Sequence, residues 1–84
     1  MAKIVKEFGD YNLSVGVESG KDDANKEPVH VHVYKRGRRT DTRIPGRNRD
    51  LDSKDYDRAC ELFDRYYREI YEWYNRVKAG EFDR

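Results

Sequence analysis

His30 and His32, with the cations that follow them, are the residues whose types and spacing could do chemistry in this 84-residue chain. In Pro28-Val29-His30-Val31-His32-Val33-Tyr34 the alternation is strict. It sends Val29, Val31 and Val33 to one face of a strand and His30, His32 and Tyr34 to the other. Imidazoles two residues apart on one face lie roughly 6 to 7 Å from each other, a separation that lets them share a metal or flank a phosphate. If Arg36 or Arg38 held that phosphate, one ring as general base and the other as general acid would make a metal-independent ribonuclease. Two plainer roles compete with it: solvent-facing polar residues of a half-buried sheet, or contacts to nucleic acid or a partner. Zinc needs a third and a fourth ligand, and Cys60, the single cysteine, falls in a predicted helix far along the chain. No metal and no cofactor is therefore expected.

The cations form a second signal. Residues 35–49 carry Lys35, Arg36, Arg38, Arg39, Arg43, Arg47 and Arg49 against Asp41 alone. Acids predominate on either side, so the formal net charge of +1 hides a local basic stretch. Its attraction for polyanions is local, or is answered by the chain's own acids. The predicted binding set is His30, His32, Tyr34, Lys35, Arg36, Arg38, Arg39, Arg43 and Arg47, facing nucleic acid or an acidic partner protein.

These residues need a scaffold. The length suits one domain, residues 1–84, near the lower limit for a single core, and charged residues make up 42% of the chain. Aromatics at 13% supply large buried areas from few positions. Strands are predicted over about 2–8, with Ile4 and Phe8 inward, and over 11–18, where Tyr11, Leu13, Val15 and Val17 alternate with small polar residues. Ser19 to Glu27 reads as a water-exposed loop. Further strands follow over 29–36 and 39–44, with a turn at Gly37. A helix over about 53–79 gathers Ala59, Leu62, Phe63, Tyr66, Tyr67, Ile70, Tyr71, Trp73, Tyr74 and Val77 within an arc of about 180°. Asp52 or Ser53 would cap it, Gly80 would end it, and Glu81 to Arg84 would form a tail.

The expected fold is thus α+β: a small antiparallel sheet of three to four strands, built as two hairpins, packed against one long C-terminal helix. Tyr67, Tyr71 and Tyr74 lie toward one edge of the apolar arc, where they are either core or a protein interface such as a homodimer contact. No run approaches the ~20 apolar residues that span a bilayer, and no signal-peptide apolar segment follows Met1. With one cysteine, the chain is expected in the reducing cytoplasm.

Pro28-Val29-His30-Val31-His32, with the helix end Trp73-Tyr74-Asn75-Arg76-Val77-Lys78-Ala79-Gly80-Glu81, resembles a family of small prokaryotic proteins called domain of unknown function 4160. That family has a Pro-Pro-His-x-His strand and a helix closing on Trp, a short spacer and Gly-Glu. Here a single Pro28 replaces the proline pair, and the return strand is more basic. The resemblance implies a compact α+β protein encoded beside a small partner, as in toxin–antitoxin or mobile-element pairs, and no defined activity. His30 and His32 match the motif. The residues themselves favour a non-enzymatic binding module working through the basic hairpin. The alternatives are the histidine-dependent ribonuclease toxin and a phage-type inhibitor that blocks a host defence or nuclease complex.

Overall fold

The computed structural model describes residues 3–20, 24 and 27–82. Strands β1 (Ile4–Gly9), β2 (Ser14–Glu18), β3 (Val31–Lys35) and β4 (Arg38–Ile44) form one antiparallel sheet in the order of the chain. Helices α1 (Ser53–Arg65) and α2 (Tyr67–Lys78) follow. The two expected hairpins are joined by a third pairing, β2 with β3, so the sheet is a continuous meander. Sequential short strands reach this arrangement without crossovers.

Helix α1 packs on β2 and β4, and α2 on β2 and β1. Between layers lie Phe8, Leu13, Val15, Val17, Val31, Val33, Ile44, Leu51, Ala59, Leu62, Ile70, Tyr74 and Val77. The valine face of β3 thus meets the helices, as alternation requires. Two expected core residues are corrected: Tyr11 is 74% exposed and Ile4 44%. Tyr11 sits in the β1–β2 connection, outside both strands. Ile4 is displaced by a register shift between Ile4 and Lys6. A one-residue slip sends a side chain to the opposite face, and Ile4 accordingly lies against Gly16, away from the helices.

The single long helix is also corrected. It breaks at Tyr66, whose φ of −106° and ψ of 20° leave the helical basin. Neither proline nor glycine stands there, but the Tyr66 ring stacks on Phe8 of β1 at 4.8 Å. The ladder survives the bend, since Tyr66 N–H reaches Leu62 O at 3.0 Å and Tyr66 O accepts from Ile70 N–H at 2.9 Å. Sheet contact bends the rod without severing it. At the start, Asp52 Oδ1 accepts from Asp55 N–H. At the end, Gly80 takes a φ of 84°, and Gly80 and Glu81 donate to Val77 O and Arg76 O, the Schellman closure.

The expected tail is docked as far as Phe82, which stacks on Trp73 at 6.0 Å beneath Arg76; Asp83 and Arg84 lie outside the described residues. Within the loop expected in water, Ala24 is buried in the core, while residues 21–23, 25 and 26 lie outside the description. No described helix is long and apolar enough to cross a membrane.

Candidate functional site

Positions 32 and 34 lie within β3 on the face away from the helices, and position 30 precedes the strand beside Tyr74 of α2, yet none of this is a solvent face. His30 and Tyr34 are buried and His32 is half-buried. The expectation of ordinary exposed polar side chains fails because polar neighbours enclose one another here. Glu18, at the end of β2, is the hub. Its carboxylate accepts from the Tyr34 hydroxyl, forms an ion pair with Arg39, whose Nε is 3.1 Å away, and lies 3.6 Å from His32 Nε2. Arg39 Nη2 also donates to His32 Nδ1 at 2.9 Å.

A guanidinium can only donate, so Nδ1 is an acceptor and the imidazole proton sits on Nε2, toward Glu18. Burial drives the His32 pKa down from 6.5 to about 4; Glu18 opposes the shift, and Arg39, His30 and Arg43 add to it. His32 is therefore neutral at pH 7 and has no second proton to donate. Burial, then Glu18, likewise hold the Tyr34 hydroxyl above its usual pKa, so it remains a donor.

His30 is fixed differently. Its Nδ1 is 3.1 Å from Pro28 O, 3.1 Å from the Tyr74 hydroxyl and 3.7 Å from Glu27 Oε2. The Tyr74 hydroxyl also lies 3.2 Å from Pro28 O and 3.3 Å from Glu27 O. Helix α2 thus pins the entry to β3 through one tyrosine. The two imidazoles stand edge to face at 5.2 Å between centroids, closer than a flat strand would set them. Between Glu18, Gly20, Ala24, His30, His32 and Tyr74 is a polar cavity of about 10 Å³, near the minimum for one water.

Alongside lies an open cleft of about 340 Å³, lined by Glu27, His30, His32, Arg39, Thr40, Asp41, Arg43 and Arg47. Arg43 pairs through its terminal nitrogens with Glu27, and the Arg43 guanidinium holds the Glu27 carboxyl below its usual pKa. Arg43 Nε is buried without a partner among the described residues. Alternation puts Arg39 and Arg43 on the histidine face; pairing sets His32 opposite Arg43, and a register shift in the β3–β4 ladder then sets Tyr34 opposite Arg39.

The basic hairpin divides into two groups. Lys35 bonds Asp55 of α1 at 2.5 Å, a contact that raises its pKa, and Arg39 and Arg43 hold Glu18 and Glu27. Arg36, Arg38, Arg47 and Arg49 are exposed and show no ion pair among the described residues. Arg36 and Gly37 both take positive φ, 52° and 78°, as a two-residue type I′ hairpin turn requires. Arg36 N–H donates to Tyr11 O at 2.9 Å, tying the tips of the two hairpins together. Beyond β4, the loop returns along its edge. Arg43 N–H donates to Arg47 O and Asp41 N–H to Asp50 Oδ2, while Asn48 Oδ1 and Asp50 Oδ1 receive the buried Thr42 hydroxyl at 2.9 and 2.8 Å.

Of the tyrosines read as an interface, Tyr67 and Tyr71 are exposed and Tyr74 is buried against His30. Tyr74 therefore belongs to the histidine cluster. Sequence reasoning missed Glu18, Glu27 and Gly16. The two acids sit in the polar segments closing β2 and preceding β3, and only pairing across the sheet brings them to the arginines. Gly16 lets the Tyr34 ring cross β2: a Cβ there would stand 2.9 Å from Tyr34 Cε2 and 3.3 Å from Ile4 Cγ2. Gly16→Ala is expected to lower stability by about 1–2 kcal/mol, read as a shifted urea midpoint with unchanged slope. A neutral or stabilising result would mean that the Tyr34 ring is not fixed over β2.

No group of three or more histidine, cysteine or acidic side chains suited to a metal occurs among the described residues. No family model, no curated protein and no solved structure matches this chain.

Proposed function

We propose that this chain is a non-enzymatic binding module that lays the β4 edge and its flanking loops along nucleic acid. The observation behind this reading is the unpaired set Arg36, Arg38, Arg47 and Arg49. These four remain exposed after the chain's own acids have engaged Lys35, Arg39 and Arg43. They lie at the two ends of a seven-residue strand whose first residue is Arg38, roughly 23 Å long at ~3.3 Å per residue, a span that covers several phosphates. Binding is favoured over cleavage because His30 is buried with its Nδ1 held at Pro28 O and the Tyr74 hydroxyl, and the Nδ1 of His32 is held by Arg39.

A specific observation keeps a second reading in view. Arg39 and Arg43 already take carboxylates within the chain, the chemistry that an acidic protein partner would offer. An association with toxin–antitoxin or mobile-element partners, or inhibition of a nuclease complex, would use that surface.

Fluorescence anisotropy with a labelled duplex and a labelled RNA separates these readings. With four phosphate contacts, affinity is expected to fall about 100-fold between ~50 and ~200 mM salt. The variant with Arg36, Arg38, Arg47 and Arg49 all changed to Gln should lose most of that dependence. Absence of any salt-sensitive binding would overturn the nucleic-acid reading, and capture of a single acidic protein would replace it. Cleavage that is lost on changing His30 and His32 to Ala would restore the ribonuclease.

A further inference from the structure

The two helices carry a stripe that the core uses only at Cys60 and Tyr74. Asp57, Cys60, Asp64, Tyr67, Tyr71, Tyr74 and Lys78 recur at alternating three- and four-residue steps, the spacing of a helix-packing seam. Of these, Tyr74 turns inward to His30 and Cys60 packs half-buried against the core, while Asp57, Asp64, Tyr67, Tyr71 and Lys78 are exposed. Tyr67 is 44% and Tyr71 48% exposed, the only large apolar side chains of either helix that the fold leaves this open among the described residues. They are ordered against each other, with rings stacked at 6.3 Å, and Phe63 meets Tyr67 edge-on at 5.3 Å. That second contact crosses the bend at Tyr66, so the stripe is continuous over α1 and α2.

Charge along the stripe is divided by helix. The α1 half carries Asp57 and Asp64, and the α2 half carries Lys78, with Arg68 alongside. All four are exposed, and none forms an ion pair among the described residues. Among the other charges on the helices, Asp55 pairs with Lys35, Arg58 with Glu61 and Arg76 with Glu81, while Lys54, Arg65, Glu69 and Glu72, which lie off the stripe, form no ion pair among the described residues. A surface that is acidic at one end, aromatic at its centre and basic at the other complements itself when turned end for end, the condition for an isologous two-fold contact.

We propose that this flank is the interface of an antiparallel homodimer. About a two-fold axis between Tyr67 and Tyr71, Tyr67 of one copy stacks on Tyr71 of the other. Lys78 of each copy then lies over the acidic turns of α1, between Asp57 and Asp64. Tyrosine at the centre supplies apolar area with a polar tip, as interface cores favour; the charges fix direction and exclude the parallel arrangement. The proposal rests on helix residues alone, so it does not depend on the nucleic-acid reading.

Sedimentation velocity across a micromolar to sub-millimolar range tests this directly. The wild-type chain is expected at twice its 10.1 kDa, and Tyr67→Ser with Tyr71→Ser as a monomer. Lys78→Glu, and separately Asp57→Lys with Asp64→Lys, should each raise the dissociation constant on the order of tenfold or more. An equimolar mixture of those two charge variants should re-form dimers, because both faces are again opposite in sign. The swap keeps the test decisive if the tyrosine variant folds poorly, with far-UV circular dichroism as the check. A wild-type monomer at all concentrations overturns the proposal. So do dimers indifferent to either charge variant, or a mixture no tighter than its components.

Discussion

Acidification from pH 6.5 to about 4 is expected to remove on the order of 3 kcal/mol of stability through His32 alone. The folded-state pKa of this ring is depressed to about 4 from an ordinary 6.5, so between those values the unfolded chain binds a proton that the folded chain refuses. Stability from this group is fully present above 6.5 and is lost as pH falls toward 4, at ~1.4 kcal/mol per pH unit. The physical cause is burial beside two guanidiniums, which the Glu18 carboxylate only partly offsets. Glu27, held below its usual pKa by Arg43, adds acid sensitivity in the carboxylate range beneath this window. Urea unfolding at several pH values should give a steep slope between 6.5 and 4 for the wild type and a shallower one for His32→Gln. Equal slopes would show that the ring is free to protonate in place, and would return the acid–base role to the histidine pair.

Removing the hub of the same face should cost a similar amount. Glu18→Ala is expected to lower stability by about 2–3 kcal/mol. The change strips the buried Tyr34 hydroxyl of its acceptor, a loss of ~1–3 kcal/mol, and leaves Arg39 unpaired beside His32. Because Arg39 is 55% exposed, water solvates much of its freed charge, so the cost stays under the ~3–5 kcal/mol of a fully buried broken pair. A double-mutant cycle with Tyr34→Phe isolates the contact: the two changes together should cost clearly less than their sum. Strict additivity would mean that the Tyr34–Glu18 bond carries no net stability. The network fixes Arg39 and Arg43 of β4 through carboxylates on β2 and before β3, and leaves Arg36, Arg38, Arg47 and Arg49 without an ion pair among the described residues.

The proposed dimer and the proposed arginine edge use different residues of the molecule. Proton-sensitive and salt-sensitive behaviour are expected from the sheet face and β4, and concentration-sensitive behaviour from the helices. Measurements on one should leave the other unmoved.

Local pattern in the sequence determined the elements. Alternation at Val29 to Tyr34 fixed a strand, and the apolar arc from Ala59 to Val77 fixed helix beneath sheet. Asp52 and Gly80 marked the helix ends through backbone groups that only a cap satisfies. Each of these follows from a few residues and the periods of helix and strand. Tertiary structure decided what depends on partners distant in the chain. Phe8 against Tyr66 bent the helix, a shift at Ile4 turned an expected core residue outward, and the turn of α2 took Tyr74 inward while leaving Tyr67 and Tyr71 outside. Above all, the histidine face was legible as a set of residues but not as an environment. Whether an imidazole carries charge depends on what encloses it, and Glu18 and Arg39 reach His32 only across strand pairings that no local period encodes.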